Sequence, residues 1–278
     1  MIRTWKLTNT SIEAVNFTDA TSLDAVTRQL PEGYYSTFRT FDGCRRVLGL
    51  SAHLQRLYEP VSAPEVDASL LRRQLVALLE PYRPDEARVR VMMTKAGQTY
   101  VAVEPLKRLP QDVYEQGVRV ETTEMHRESP RLKSTAFIGA SDMERKHLAQ
   151  EGIFEALLVK DGEILEGMTS NFFYVGQVAD LTYLGTACDD ILLGITRQTV
   201  IDIARGRGLE VRYRPLKLEQ LSAASEAFIT SSSRGVVPVI QIDNGTVGQG
   251  TPGPITKQLA AAYEAYVLEK AEPITLPA

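Results

Sequence analysis

Aromatic and β-branched side chains crowd residues 34–41, YYSTFRTF, as a pleated strand prefers. Asp42-Gly43 follows, a pair suited to a tight turn, and residues 45–50 read as the returning strand of a hairpin. The period then changes. Ser51 is placed to cap a helix carrying His53, Leu54, Arg56 and Leu57. Asp67 can cap another, in which Leu70, Leu71, Gln74, Leu75, Leu78 and Leu79 form a mostly apolar stripe at helical spacing. Residues 88–94 and 99–103 return to strand character on either side of Ala96-Gly97.

Residues 105–113 contain prolines and charges without a clear period, and the domain boundary is expected there. That gives a small N-terminal α/β domain over 1–108, a linker over 109–113 and a larger domain over 114–278. In the larger part a helix-like stretch follows Lys133, then a strand over 154–159, the turn Asp161-Gly162, and a second strand-like run to Phe173. Gly194-Ile195-Thr196-Arg197 opens a helix through Ala204 that ends near Gly206. Residues 226–230 and 236–242 read as strands, and a last helix after Pro254 puts Ile255, Leu259, Tyr263 and Val267 on one face. Hairpin signals outnumber βαβ signals, so the predicted class is α+β or mixed α/β with mixed or antiparallel sheets.

Composition narrows the function classes. The 278 residues are 44% hydrophobic and 24% charged, enough for one large or two ordinary globular domains. A net charge of −4 argues against a nucleic-acid surface, which needs a basic excess. No apolar run approaches the roughly 20 residues that span a bilayer. No secretory leader is visible, and Cys44 and Cys188 make no disulfide framework, so a cytoplasmic location is expected. His53, His126 and His147 lack metal-ligand spacing with each other or with the cysteines, and no metal is expected. Gly248-Gln249-Gly250-Thr251-Pro252-Gly253 is glycine-rich but lacks the strand-to-helix setting of a dinucleotide fingerprint.

The chemistry-bearing residues are an amine and a carboxylate separated by strands. Lys133 can act as a nucleophile if its surroundings keep the amine neutral; by itself it reads as one more surface lysine. Glu166 stands at a strand end, where an exposed acid is ordinary, yet a buried one would hold a proton on a facing ring nitrogen. Gly194-Ile195-Thr196 sits at a helix start, where free N–H groups and the dipole favour an anion, although the same residues make a plain cap. Ser231-Ser232-Ser233 offers hydroxyl donors at a strand end, and Arg56 a planar cation suited to phosphate oxygens.

Lys133-Ser134, Glu166-Gly167-Met168-Thr169-Ser170-Asn171-Phe172 and Gly194-Ile195-Thr196-Arg197 occur in one order and together resemble the class IV aminotransferases, the fold-type IV pyridoxal phosphate enzymes. His53-Leu54-Gln55-Arg56-Leu57-Tyr58 and Pro252-Gly253-Pro254-Ile255-Thr256-Lys257 are similar to that family as well. The resemblance implies a two-domain fold-type IV enzyme with pyridoxal 5′-phosphate as cofactor. It implies that Lys133 forms the Schiff base and that Glu166 partners the ring nitrogen, with Asn171 close by. Arg56, Ile195, Thr196, Ser231 and Ser232 would cradle the phosphate, Leu192 would pack on the ring, and Tyr35 would line the site. It further implies an amino donor, a 2-keto acid acceptor and a homodimer.

Substrate preference is less legible. The Arg-x-His pair of D-amino acid aminotransferases is missing from Arg90-Val91-Met92-Met93-Thr94-Lys95, and Thr135-Ala136-Phe137 stands where branched-chain enzymes show Gly-Asn-Tyr. Arg39, which strand alternation can place on the side of Tyr35, and Arg234 are candidate ligands for a substrate carboxylate. Either is equally an ordinary surface charge. A lyase of the aminodeoxychorismate type, eliminating pyruvate on the same scaffold, is the alternative reading.

Overall fold

The alternating stretch near the front builds the strand Gly33–Phe41, at the heart of a seven-stranded sheet. The computed structural model describes residues 1–275 and divides the chain into two compact units. In the first, the strand order is Glu272–Pro273, Arg46–Val47, Gly33–Phe41, Ala87–Thr94, Thr99–Pro105, Arg3–Leu7 and Ile12–Val15, every pairing antiparallel. The helices Leu50–Tyr58 and Ala68–Leu79 bring Leu50, Leu54, Leu57, Leu71, Leu75 and Leu79 into one core with Phe38, Val89, Val91, Val101 and Val103. Tyr35, on the opposite pleat from Phe38, joins a second cluster with Met92, Leu23, Val26 and Ile138. Asp67 caps its helix as its side-chain chemistry predicts, accepting the Leu70 N–H.

The second unit carries a ten-stranded mixed sheet. Its centre is antiparallel, with Asn171–Val178 against Ala224–Ser231 and that strand against Gly235–Ile242. Val118–Thr123 then runs parallel to both Gly235–Ile242 and Glu155–Lys160. Phe172, Tyr174, Ile229, Val237, Val239 and Leu157 fill one core. Phe173 and Phe228 stack at 5.0 Å between ring centroids.

Three local expectations change. Ser51 does not cap the helix Leu50–Tyr58: Gly49, at φ +62°, is the cap residue, and the Ser51 N–H and hydroxyl both go to the Glu272 carboxylate, at 2.7 and 2.6 Å. A charged acceptor distant in sequence outcompetes the local capping geometry. The returning strand of the first hairpin shortens to Arg46–Val47, because Asp42, Gly43 and Cys44 all take left-handed φ and spend residues on the turn. The stretch after Lys133 is not helical from its start. Ser134 bridges Tyr34, the Tyr35 N–H donates to the Lys133 carbonyl at 3.0 Å, and a short helix begins only at Ala136.

Those strand-like bonds group Leu132–Ala140 with the first unit, which also takes the chain from Val267, while Arg108–Arg131 and Ser141–Tyr266 form the second. Residues 109–113, expected as the linker, lead into a helix, Gln111–Gln116, directly after Pro110.

Candidate active site

Lys133 lies in the first unit, half-buried, on the segment held to the strand Gly33–Phe41. Its Nζ stands 4.9 Å from the centroid of the Tyr35 ring. The guanidinium of Arg90 lies 4.6 Å from the same centroid and is fixed by Asp24 at 2.6 Å and Thr37 at 3.0 Å. Gly33 makes the segment's approach possible. Its N–H and carbonyl bond the Thr135 hydroxyl and N–H, and a Cβ there would collide with the Met93 backbone. Arg39 is buried on the face of Tyr35, with its guanidinium 4.7 Å over Phe41.

Arg56 projects from the helix Leu50–Tyr58 and donates from Nη2 to Ser36 Oγ at 3.2 Å. Burial pushes its guanidinium down to about 10, which leaves it charged at neutral pH and favoured by any anion that approaches.

Glu166 belongs to the second unit and is 1% exposed, which removes the reading of a solvated strand-end acid. Arg127 Nε donates to Oε1 at 2.8 Å. Oε2 accepts from the Leu192 backbone N–H at 3.1 Å and from Asn171 Nδ2 at 3.2 Å. Asn171 also donates to the Leu192 carbonyl at 2.7 Å, which locks the loop before the helix Ile195–Gly206 onto the strand bearing Asn171. Gly194 permits this packing, since a Cβ there would strike the Asn171 amide oxygen. Leu192 is buried beside them.

The helix Ile195–Gly206 begins at Gly194 with no side-chain cap bond. Its first backbone N–H groups therefore keep their capacity for an anion. Thr196 is buried and its hydroxyl lies 3.4 Å from the Tyr263 Oη. Ser231 ends the strand Ala224–Ser231, and Ser232 follows in the turn. Arg234 is anchored within this turn region: Nε donates to Ser231 Oγ at 3.1 Å, and Nη2 to Glu155 at 2.8 Å and to the Thr169 hydroxyl at 2.6 Å. None of the described hydrogen bonds uses its Nη1.

Sequence reasoning passed over Arg127, Glu155 and Ser36. Nothing periodic marks Arg127 in Met125-His126-Arg127-Glu128, and only the fold brings it to Glu166. Glu155 begins a strand and reads as an ordinary charge, yet it is 3% exposed and accepts from Thr169 and Arg234. Among the described residues no group of three or more His, Cys, Asp or Glu is arranged to hold a metal, and both cysteines are free. No helix among them is long and apolar enough to cross a membrane.

A buried acid held by three donors and an uncapped helix start suit an aromatic ring nitrogen and a phosphate, the two polar ends of pyridoxal phosphate. The comparisons with known proteins agree. The chain is 28% identical to D-alanine aminotransferase of Bacillus licheniformis over 87% of its length and 90% of the relative's. It superposes on a putative branched-chain amino acid aminotransferase of Thermotoga maritima with a TM-score of 0.78 and 25% identity, covering 97% of this chain and 98% of that one. It also shares its fold with the pyridoxal phosphate-bound form of a hypothetical aminotransferase of Mycobacterium tuberculosis, at a TM-score of 0.76 and 22% identity over 96% and 99% of the two chains.

The two-domain α+β architecture is that of the fold-type IV transaminases. The chain belongs to the amino-transferase class IV family, whose model matches residues 33–242. That membership makes it a transaminase dependent on pyridoxal phosphate. The elimination reading set beside it gains nothing from these relatives, which are named as aminotransferases.

Proposed function

We propose that this transaminase moves an amino group between an amino acid or amine and a 2-keto acid, with Lys133 as the amine that holds the cofactor covalently. The observation that carries the reading is Glu166, a carboxylate removed from water and aimed by Arg127, Asn171 and the Leu192 N–H. A carboxylate held so can keep a proton on a ring nitrogen. Bound pyridoxal phosphate supplies an electron sink for the charge left when a substrate carbon loses its proton. Lys133 Nζ, as a free amine, would take that proton as general base and return it as general acid.

Arg56, the N–H groups of Ile195 and Thr196, and the hydroxyls of Thr196, Ser231 and Ser232 are the proposed phosphate ligands. The uncapped helix start and the lowered Arg56 support that assignment. Asn171 is proposed to orient Glu166, and Leu192 to pack on the cofactor ring. Tyr35, Arg39 and Arg234 are the proposed substrate contacts. Arg234 suits the task because Glu155, Thr169 and Ser231 fix two of its nitrogens, and Nη1 is not used in those bonds. A cytoplasmic homodimer is the proposed working state.

A donor panel of L-branched-chain acids, D-alanine, (R)-1-phenylethylamine and aminodeoxychorismate, each with and without a 2-keto acid, tests the reading. Amino transfer that requires the keto acid supports it. Pyruvate release from aminodeoxychorismate with no acceptor present overturns it in favour of elimination.

A further inference from the structure

Below the strand face that carries Phe38, two polar side chains of the first unit are sealed in an otherwise apolar core, and a third, the half-buried Arg56, reaches in to them. Ser36 is wholly buried and His53 is 1% exposed. Ser36 Oγ lies 2.8 Å from His53 Nδ1 and accepts from Arg56 Nη2 at 3.2 Å. The His53 ring is itself packed against Phe38, 5.2 Å between centroids and tilted by 53°. His53 and Arg56 are three residues apart on one helix, so they share a face, and Ser36 reaches them from the neighbouring strand.

The direction of the two bonds follows from donor counting. Arg56 can only donate, so Ser36 Oγ accepts from it. A hydroxyl has one hydrogen to give, and the described bonds offer Ser36 a single further partner, His53 Nδ1. If Nδ1 carried a proton instead, Ser36 would accept twice and its own hydrogen would be buried without a partner, which costs free energy. The ring is therefore neutral, with its proton on Nε2 and Nδ1 accepting. Burial first, then the positive charges of Arg56 and Lys133, hold His53 well below the ordinary imidazole range, in keeping with that state.

We infer that Ser36 and His53 are positioning residues which fix the orientation of the Arg56 guanidinium for the cofactor phosphate, through a chain running from Arg56 to Ser36 to His53. The inference rests on the assignment of Arg56 to the phosphate. Without the chain, the ligand has to supply more of the ordering of the long Arg56 side chain, and affinity falls by the cost of that ordering. The effect is confined to ligands that carry a phosphate. Neither Ser36 nor His53 need touch the ligand.

The test compares pyridoxal phosphate with pyridoxal as ligands of the apoenzyme, titrated by calorimetry. The variants are Ser36→Ala, His53→Leu, His53→Asn and, as reference, Arg56→Ala. A hydrogen bond to a charged group contributes about 1.5–3 kcal/mol, roughly a 10- to 100-fold change in affinity. Ser36→Ala and His53→Leu are expected to weaken pyridoxal phosphate by about 10-fold, toward that range, and pyridoxal by less than about twofold. His53→Asn, whose amide oxygen can accept the Ser36 hydrogen, restores most of the loss. Equal losses for both ligands, or none for either, overturn the inference.

A second measurement does not depend on the variants folding. Nitrogen-15 NMR of the wild-type apoenzyme reads the His53 tautomer, and an unprotonated Nδ1 with a protonated Nε2 is expected. A proton on Nδ1 at neutral pH overturns the chain. Wild-type enzyme that binds pyridoxal phosphate no more tightly than pyridoxal removes Arg56 from the phosphate instead. That outcome strikes the cofactor assignment and the positioning role together, whereas a normal wild type with unaffected Ser36→Ala and His53→Leu strikes only the latter.

Discussion

Arg127 Nε donates to Glu166 Oε1 at 2.8 Å, in a pair whose side chains are 5% and 2% exposed. Arg127 also donates from Nη2 to the Met168 carbonyl at 2.7 Å, tying down the loop that follows Glu166. Taking one charge from such a pair leaves the other buried without its compensation. Arg127→Met is expected to lower unfolding stability by about 3–5 kcal/mol. Urea denaturation of the apoenzyme measures it; a loss below about 1 kcal/mol would show that Glu166 does not depend on this partner.

Lys133→Ala should abolish turnover and leave the cofactor held only by non-covalent contacts. Borohydride treatment of the loaded wild type followed by peptide mass mapping should place one adduct on the peptide containing Lys133, and none in the variant. An adduct on a different lysine would refute the assignment.

Arg234→Lys keeps a charge but loses the planar fork whose Nε and Nη2 bond Glu155, Thr169 and Ser231. If Arg234 also receives a substrate carboxylate, KM for D-alanine or an L-amino acid rises by about tenfold, the equivalent of one charged hydrogen bond. KM for (R)-1-phenylethylamine, which has no carboxylate, is expected to stay within about twofold. Equal changes for both donor types would assign Arg234 to scaffolding alone.

His53 gives the apoenzyme a pH signature. Its folded-state value lies well below the ordinary 6.5, with burial as the first cause and Arg56 and Lys133 as the next. The unfolded chain takes up a proton below about pH 6.5 that the folded chain refuses, so stability falls as pH drops through that region. The slope contributed by this one group approaches about 1.4 kcal/mol per pH unit. Chemical denaturation between pH 7.5 and 5 should be flatter in His53→Asn by about that amount. An unchanged slope would mean that His53 takes up its proton without unfolding.

The sequence by itself determined the elements whose side chains announce their own burial. The strand Gly33–Phe41, the helix Ala68–Leu79 and the helix Pro254–Lys270 follow from period and capping, because local packing there agrees with the global core. Lys133, Glu166 and the Gly194-Ile195-Thr196 helix start were singled out by their shared order along the chain, since an amine, an acid and a plain cap are each ordinary alone. Edges and networks were not legible. Ser51 left its capping role because Glu272, more than 200 residues away in sequence, supplies a charged acceptor. The segment after Lys133 became an extended partner of Gly33–Tyr35 because its backbone found hydrogen bonds across space. Arg127, Glu155 and Ser36 acquired their partners the same way. A charge or hydroxyl has no sequence period of its own. Whether it meets solvent or a buried partner is decided by strand register and loop packing, and those exist only in the folded chain.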